Sequence, residues 1–137
     1  MRVRNQEIIA AYRANEGVVD DIPDPLVVIT TKGAKTGNLH TAPICVREDG
    51  GDLIVAGTAG GTKRHPQWYF NLVAEPEITV EYLGDTYQAR AETVVNSLDR
   101  DRLFHLMEAV IPGIYRYQDR CRDLRQIPIV RLTRELT

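Results

Sequence analysis

Two short segments of this chain gather the residue types that hold anions. In Lys32-Gly33-Ala34-Lys35-Thr36-Gly37, with His40 just beyond, the glycines let main-chain amides converge, the lysines bring positive charge and Thr36 offers a hydroxyl. That set suits the oxygens of a phosphate or carboxylate. It lacks the spacing and the following helix of a nucleotide-binding GxxxxGK loop. The same residues also make an ordinary exposed hairpin turn, so both readings stand at this level. The second segment, Thr58-Ala-Gly-Gly-Thr-Lys-Arg-His-Pro66, runs from a strand end into a helix start. Free helix amides, the positive end of the helix dipole and the cations Lys63 and Arg64 would favour an anion in one small volume. Basic residues at a helix start oppose the dipole by about 0.3–1 kcal/mol each, which a bound anion would offset. Exposure at physiological salt lowers that cost, and leaves an unliganded surface as the alternative.

Other candidates are fewer. Trp68 and Leu72 stand four apart on the helix that follows, a spacing that serves core packing or, with a partly exposed indole, the edge of a flat ring. Tyr115 and Tyr117 suit packing near a helix end, or a phenol-lined pocket able to donate a hydrogen bond or a proton. His40, His65 and His105 show no metal-ligand spacing, so no metal site is expected, and His105 is expected on a helix surface. No serine sits in GxSxG, and Cys45 and Cys121 form no CxxC, which removes covalent hydrolase chemistry, a disulfide framework and a zinc site from consideration. With 17 basic and 19 acidic side chains the net charge is -2, so no global field draws nucleic acid or an anionic bilayer. No apolar run reaches the length of a membrane span and the N-terminus lacks a signal-type apolar stretch; the expected location is the cytoplasm.

These side chains need a scaffold, and 137 residues suffice for one domain spanning 1–137. Ile8, Ile9 and Tyr12 share a helical face between Asn5 and Asn15, a helix expected to end at Gly17 and to pack on a sheet. A loop follows, Val18 to Pro25, with Asp20, Asp21 and Asp24. Leu26 to Thr31 and Leu39 to Val46 read as a hairpin around the lysine-bearing turn, and Pro43 should sit at a bulge or face away from a partner strand. Glu48-Asp-Gly-Gly51 reads as a turn before a strand from Asp52 to Gly57. Pro66 opens a short helix to Ala74. Ile78 to Leu83 and Thr86 to Val95 form the clearest strand pair, with Tyr87, Ala89 and Ala91 facing in. Ser97 would cap a helix carrying Leu103, Phe104, Met107, Val110 and Ile111, a second helical stretch runs from Ile114 to Leu124, and Ile127 to Leu132 closes the chain as a strand. Six strands, mostly in hairpins, with helical decoration make a mainly β, α+β antiparallel barrel the expected fold; a doubly wound sheet is not expected, because strands do not alternate regularly with helices and no GxGxxG follows a strand.

Leu26 to Gly37, Val55 to Leu72 with Ala74-Glu-Pro76, and Ile127-Pro-Ile-Val130 together resemble, in order and across nearly the whole chain, the deazaflavin (coenzyme F-420)-dependent nitroreductase family. The resemblance implies a six-stranded split β-barrel similar to the FMN-binding barrels of pyridoxamine-phosphate oxidase type. It also implies the reduced 8-hydroxy-5-deazaflavin coenzyme, whose phosphate and oligoglutamate tail are anionic. On this resemblance Lys35, Thr36 and Gly37 would meet the tail, with Lys63 and Arg64 holding further oxygens, and Ala56, Gly57 and Thr58 would flank the ring. Trp68 and Asn71 match positions near the coenzyme, and His40, Pro43, Gly60, Gly61 and Pro66 complete the coenzyme-binding set. Thr58, Tyr115 and Tyr117 are the implied catalytic residues. Ala34 and His40 stand where the family often has basic residues, which implies a weaker or partly titratable tail clamp.

The function this implies is hydride transfer to an electron-poor small molecule such as a quinone, enone or nitroaromatic. An FMN-dependent enzyme on the same fold and a non-catalytic cofactor carrier are the alternatives. Peripheral membrane contact, and the choice between monomer and homodimer, stay open.

Overall fold

The structure, a computed structural model, describes residues 2–19 and 25–135, so the aspartates of the 20–24 loop lie outside the described residues. Among the described residues the chain order is α1 (Arg2–Ala14), β1 (Leu26–Lys32), β2 (Leu39–Cys45), β3 (Arg47–Asp49), β4 (Asp52–Ala56), α2 (Gln67–Ala74), β5 (Glu77–Tyr82), β6 (Asp85–Thr93), α3 (Ser97–Met107), α4 (Ile114–Cys121) and β7 (Ile129–Arg134). The strands form one antiparallel sheet in the order β2-β1-β5-β6-β7-β4-β3, curled so that β2 also approaches β4. This is the half-closed barrel expected, with seven strands in place of six. The additional strand is β3, where a turn was expected. Asp49 pairs with Asp52 across Gly50-Gly51, whose φ values of 60° and 94° give the left-handed two-residue loop that matches strand twist.

Alternation sends Val27, Ile29, Val55, Ile78, Val80, Ala89, Val130 and Leu132 into the barrel, where Leu72 of α2 joins them and Trp68, Tyr69 and Tyr87 pack against the cluster. On the outer face, Ile54, Ala56 and Ile129 meet Leu103, Phe104 and Met107 of α3 and Ile114 and Cys121 of α4. Both faces of β4 and β7 are therefore covered, which is why their sequences are apolar without alternation. Helix α1 lays Ile9 and Tyr12 on Leu26 and Val28. The Tyr12 hydroxyl lies 2.9 Å from the Leu26 carbonyl and accepts the Leu83 amide at 3.2 Å. Pro43 pairs with Val28 on β2, an edge strand, where its missing amide hydrogen costs the sheet nothing. The N-cap of α3 is Asn96 rather than Ser97: its Oδ1 accepts the Asp99 amide at 3.1 Å. That helix stops at Met107, so Val110 and Ile111 pack from the turn beyond it.

Register decides what the barrel can hold. Lys32 pairs with Leu39, Glu77 with Arg90, Thr93 with Val130 and Ala56 with Ile129. In an antiparallel sheet those rungs share one end, so the 33–38 turn, the 57–66 loop, α2 and the entry to β7 all rise from the same rim. At the opposite end, Asp49 of β3 ties one helix to the sheet, binding Arg102 of α3 at 2.9 Å and Arg131 of β7 at 3.0 Å.

Candidate functional site

At the rim, one buried amide joins the two basic segments. Asn71, fully buried on α2, accepts the Ala34 amide at 3.1 Å and the Gln67 side chain at 2.9 Å through Oδ1, and donates to Thr31 Oγ1 at 3.1 Å. Gln67 directly follows Pro66, the residue that caps α2 and ends the second basic loop. The hairpin tip and the helix start therefore hang on the same oxygen atom. Both polar atoms of the Asn71 side chain bond to the protein, so its contribution is to brace the tip. The tip is otherwise held internally: Gly33 N donates to Asn38 O at 2.7 Å, Gly37 N to Gly33 O at 2.9 Å, and Asn38 N to Thr36 Oγ1 at 3.2 Å.

The 57–66 loop is shaped by a residue that sequence reasoning missed. Arg125 donates from Nε to Thr62 O at 2.8 Å, from Nη1 to Gly57 O at 2.9 Å and from Nη2 to Thr58 O at 2.6 Å. Its Nη1 also lies 3.1 Å from His65 Nδ1. Arg120 adds a bond to Gly60 O at 2.9 Å. With the carbonyls turned onto two arginines, the amides of Thr58, Ala59 and Gly60 meet no acceptor among the described residues. Thr58 has a right-handed backbone (φ -71°) and Ala59 a left-handed one (φ 43°), the alternation that points successive amides into one concavity suited to an anion. A non-glycine residue in that region carries strain, of the kind that functional loops retain. The only sequence signal for Arg125 was a cation past the end of α4; nothing in its spacing announced a partner loop more than sixty residues earlier.

Helix α4 backs this loop closely. A Cβ on Gly61 would lie 2.7 Å from the Tyr117 carbonyl oxygen, so only glycine admits the contact. Gln118 then fixes the base of the assembly, its Oε1 accepting the Ile127 amide at 2.8 Å and its Nε2 donating to Arg125 O at 3.1 Å.

The expected site residues distribute unevenly. Lys35, Thr36, Gly37 and His40 lie at the tip; Ala56, Gly57, Thr58, Gly60, Gly61, Lys63, Arg64 and Pro66 form the opposite wall; Trp68 and Asn71 stand on α2 between them. Pro43 sits four rungs along β2 from Leu39, away from this rim. Tyr115 and Tyr117 face different neighbours. The Tyr115 ring meets Phe104, with its hydroxyl 3.5 Å from His105 Nδ1, whereas the Tyr117 ring folds over Gly113 and packs with the outer core.

Charge at the rim is unbalanced. Arg13, Arg90, Arg102, Arg131 and Arg134 all pair with carboxylates, but among the described residues Lys32, Lys35, Lys63 and Arg64 form no ion pair. Arg64 instead lies 5.8 Å from the Phe70 ring centroid. Burial, and then the neighbouring Arg125 charge, push the His65 imidazole below its ordinary range. Arg125 Nη1 is a donor, so His65 Nδ1 presents its lone pair and the ring is neutral.

A curled antiparallel half-barrel with a cation-lined rim and an apolar interior behind it is the split-barrel architecture. The fold is shared with a pyridoxamine 5'-phosphate oxidase-like protein of Listeria innocua (TM-score 0.56, 12% identity, 96% of this chain and 93% of that one). The chain belongs to the F420H(2)-dependent quinone reductase family, whose description it matches over residues 3–134. It is 32% identical over 130 residues to an F420H(2)-dependent quinone reductase of Mycobacterium tuberculosis, covering 91% of this chain and 86% of that protein. Among solved structures it resembles an F420-H2 dependent reductase, FDR-A, with 28% identity and a TM-score of 0.70 over 79% of this chain and 93% of that one. A chain described as a domain-swapped dimer is similar to the same degree, at 28% identity and a TM-score of 0.72 over 93% and 92%.

Proposed function

We propose that this chain transfers a hydride from reduced coenzyme F-420 to a quinone-class acceptor, with the coenzyme's anionic tail between the 32–37 turn and the 58–64 loop. The observation that carries this reading is the Asn71 joint: it fixes two segments of unpaired cations on one rim, separated by bonds of 3.1 and 2.9 Å to a common oxygen. Lys35, Thr36 and Gly37 receive the tail from one side, and Lys63 and Arg64 from the other. The Thr58, Ala59 and Gly60 amides supply donors without desolvating a further charge. The backbone of Ala56 and Gly57 at the end of β4, and half-buried Trp68 on α2, flank the ring in this reading. His40, Gly61 and Pro66 complete the walls.

When bound, the deazaflavin supplies a hydride at the carbon that replaces a flavin's reactive nitrogen. The protein's part is to orient, to exclude water and to deliver the proton that completes the acceptor's reduction. Thr58 stands nearest the ring wall, and Tyr115 and Tyr117 are the phenols of the adjoining helix; solvent is the remaining proton source. The family's quinone reductases bring quinones forward as the first acceptor to test. The whole of residues 1–137 acts as one unit in this reading, in the cytoplasm.

Oxidation of the reduced coenzyme, followed by recovery of its absorbance and fluorescence, tests the proposal. Menadione added to chain and reduced coenzyme should restore the oxidised spectrum with turnover. Tight binding with no oxidation by any quinone, enone or nitroaromatic would mark a carrier; binding of FMN without the deazaflavin would mark a flavin enzyme. Thr58→Ala and Tyr115→Phe should each lower turnover while leaving coenzyme affinity within about twofold.

A further inference from the structure

On the α3–α4 side a partly buried cation lacks a counter-ion. Arg100 donates from Nη2 to the neutral Gln118 Oε1 at 3.4 Å and lies 5.3 Å from the Phe104 ring centroid, with no ion pair among the described residues. Arg102, on the same helix, grips both oxygens of Asp49 at 2.9 and 3.1 Å. Burial pushes the Arg100 guanidinium below its ordinary range, with Asp101 and Tyr69 opposing that shift. A cation removed from water without a carboxylate is costly until an anion reaches it.

Two cavities flank this side chain. One, of about 290 Å³, runs between His65 and Tyr69 on one side and Ser97 on the other. The second, of about 400 Å³, is walled by Phe104, Tyr115, Arg122 and Arg125. Arg100, Asp101 and Gln126 line both, so they form one cleft with Arg100 at its waist. The Phe104 and Tyr115 rings meet edge to face with centroids 5.0 Å apart and give the cleft an apolar wall. The larger cavity is lined by three guanidinium groups and the carboxylate of Asp101; Arg122 pairs with Asp119 at 3.4 Å and Arg125 is taken up by the loop carbonyls, which leaves Arg100 as the cation for a ligand. Arg125 joins this cleft to the coenzyme loop, because it holds the Gly57 and Thr58 carbonyls.

We infer that this cleft binds a planar aromatic anion, its acidic group at Arg100 and its ring against Phe104 and Tyr115, and that the electron acceptor belongs to this class. The identification as acceptor rests on the proposed hydride transfer; the binding itself does not. A carboxylate or sulfonate on a quinone would meet Arg100 as a charge-assisted pair. Cavities of this size take small-molecule ligands.

Equilibrium dialysis of the full chain without coenzyme tests the binding, with anthraquinone-2-sulfonate against its neutral analogue 2-(hydroxymethyl)anthraquinone. The sulfonate should bind about tenfold or more tightly than the alcohol, a margin typical of one charge-assisted pair. Arg100→Gln should abolish that preference and leave the alcohol within about twofold, Arg100→Lys should keep part of it, and Arg90→Gln, which lies outside the cleft and pairs with Glu77, should change neither. Equal binding of the two probes by the unsubstituted chain, or no binding of either, overturns the inference whatever the variants do. If the sulfonate binds but is reduced no faster than the alcohol with reduced coenzyme, the cleft is an anion site and not the acceptor site. Failure of every quinone to oxidise the coenzyme would sink the proposed function and leave the dialysis result standing.

Discussion

Arg125 concentrates more of the rim's geometry than any residue visible in the sequence. Three carbonyl bonds at 2.6 to 2.9 Å from one guanidinium set the path of the 57–62 backbone. Hydrogen bonds to a charged group contribute roughly 1.5–3 kcal/mol each, so Arg125→Ala is expected to raise the coenzyme Kd about tenfold or more in a fluorescence titration. Arg125→Lys should recover only part of this, because an ammonium cannot span three carbonyls in a plane. His65 adds a pH dependence. Its folded-state pKa lies below the unfolded value, so the folded chain binds fewer protons at this site. The stabilising neutral form is present above about pH 6.5 and is lost as pH falls toward and through the lowered value. Coenzyme affinity should therefore weaken on acidification below about pH 6.5, and His65→Asn should flatten that dependence; a profile unchanged by the substitution would remove His65 from the loop's support.

At the scale of elements, contacts between α2, α4 and the two loops set the site, and they are testable one at a time. Gly61→Ala drives a methyl to 2.7 Å from the Tyr117 carbonyl at a backbone φ of 77°. Overpacking of this kind costs about 1–3 kcal/mol, so calorimetry should show a lowered Tm together with weakened coenzyme binding. Asn71→Ala strands the Ala34 amide and costs about 1–3 kcal/mol by the same measurement. Away from the rim, hydrogen bonds from Arg102 and then Arg131 hold Asp49 at a pKa of about 2, below its ordinary 3.8. That stabilisation is present above about pH 4 and is lost as pH falls through about 2. Asp49→Asn should lower the Tm at neutral pH and remove this acid-induced loss.

Element boundaries were legible wherever the residues signalled locally. Val18 to Pro25, Pro66 and Gly84 punctuate the chain, and the alternation of Ile78, Val80, Ala89 and Ala91 gave the inward face that the core cluster displays. The strand at Arg47–Asp49 was missed because a short charged strand carries neither alternation nor apolar residues; only its pairing with Asp52–Ile54 makes it one. Likewise Asn96 and Ser97 are both good caps, and the choice between them depended on which side chain reached the Asp99 amide.

For the molecule as a whole, the rim follows from strand direction: seven antiparallel strands bring the tip of one hairpin, the end of β4 and the start of β7 to one end of the barrel. Sequence patterns carried the barrel and the two basic loops. They could not carry Arg125, Gln118 or Arg100, whose partners are set by tertiary contacts between distant segments. The central claim is that both loops grip one anionic tail, and a coenzyme titration across salt concentration tests it most directly. With the unsubstituted chain, Kd should rise steeply with ionic strength as the exposed cations are screened. Lys35→Gln and Lys63→Gln should each weaken binding and each reduce that slope, and the double substitution should reduce it further. A coenzyme Kd indifferent to salt, or altered by only one of the two substitutions, would contradict a shared grip.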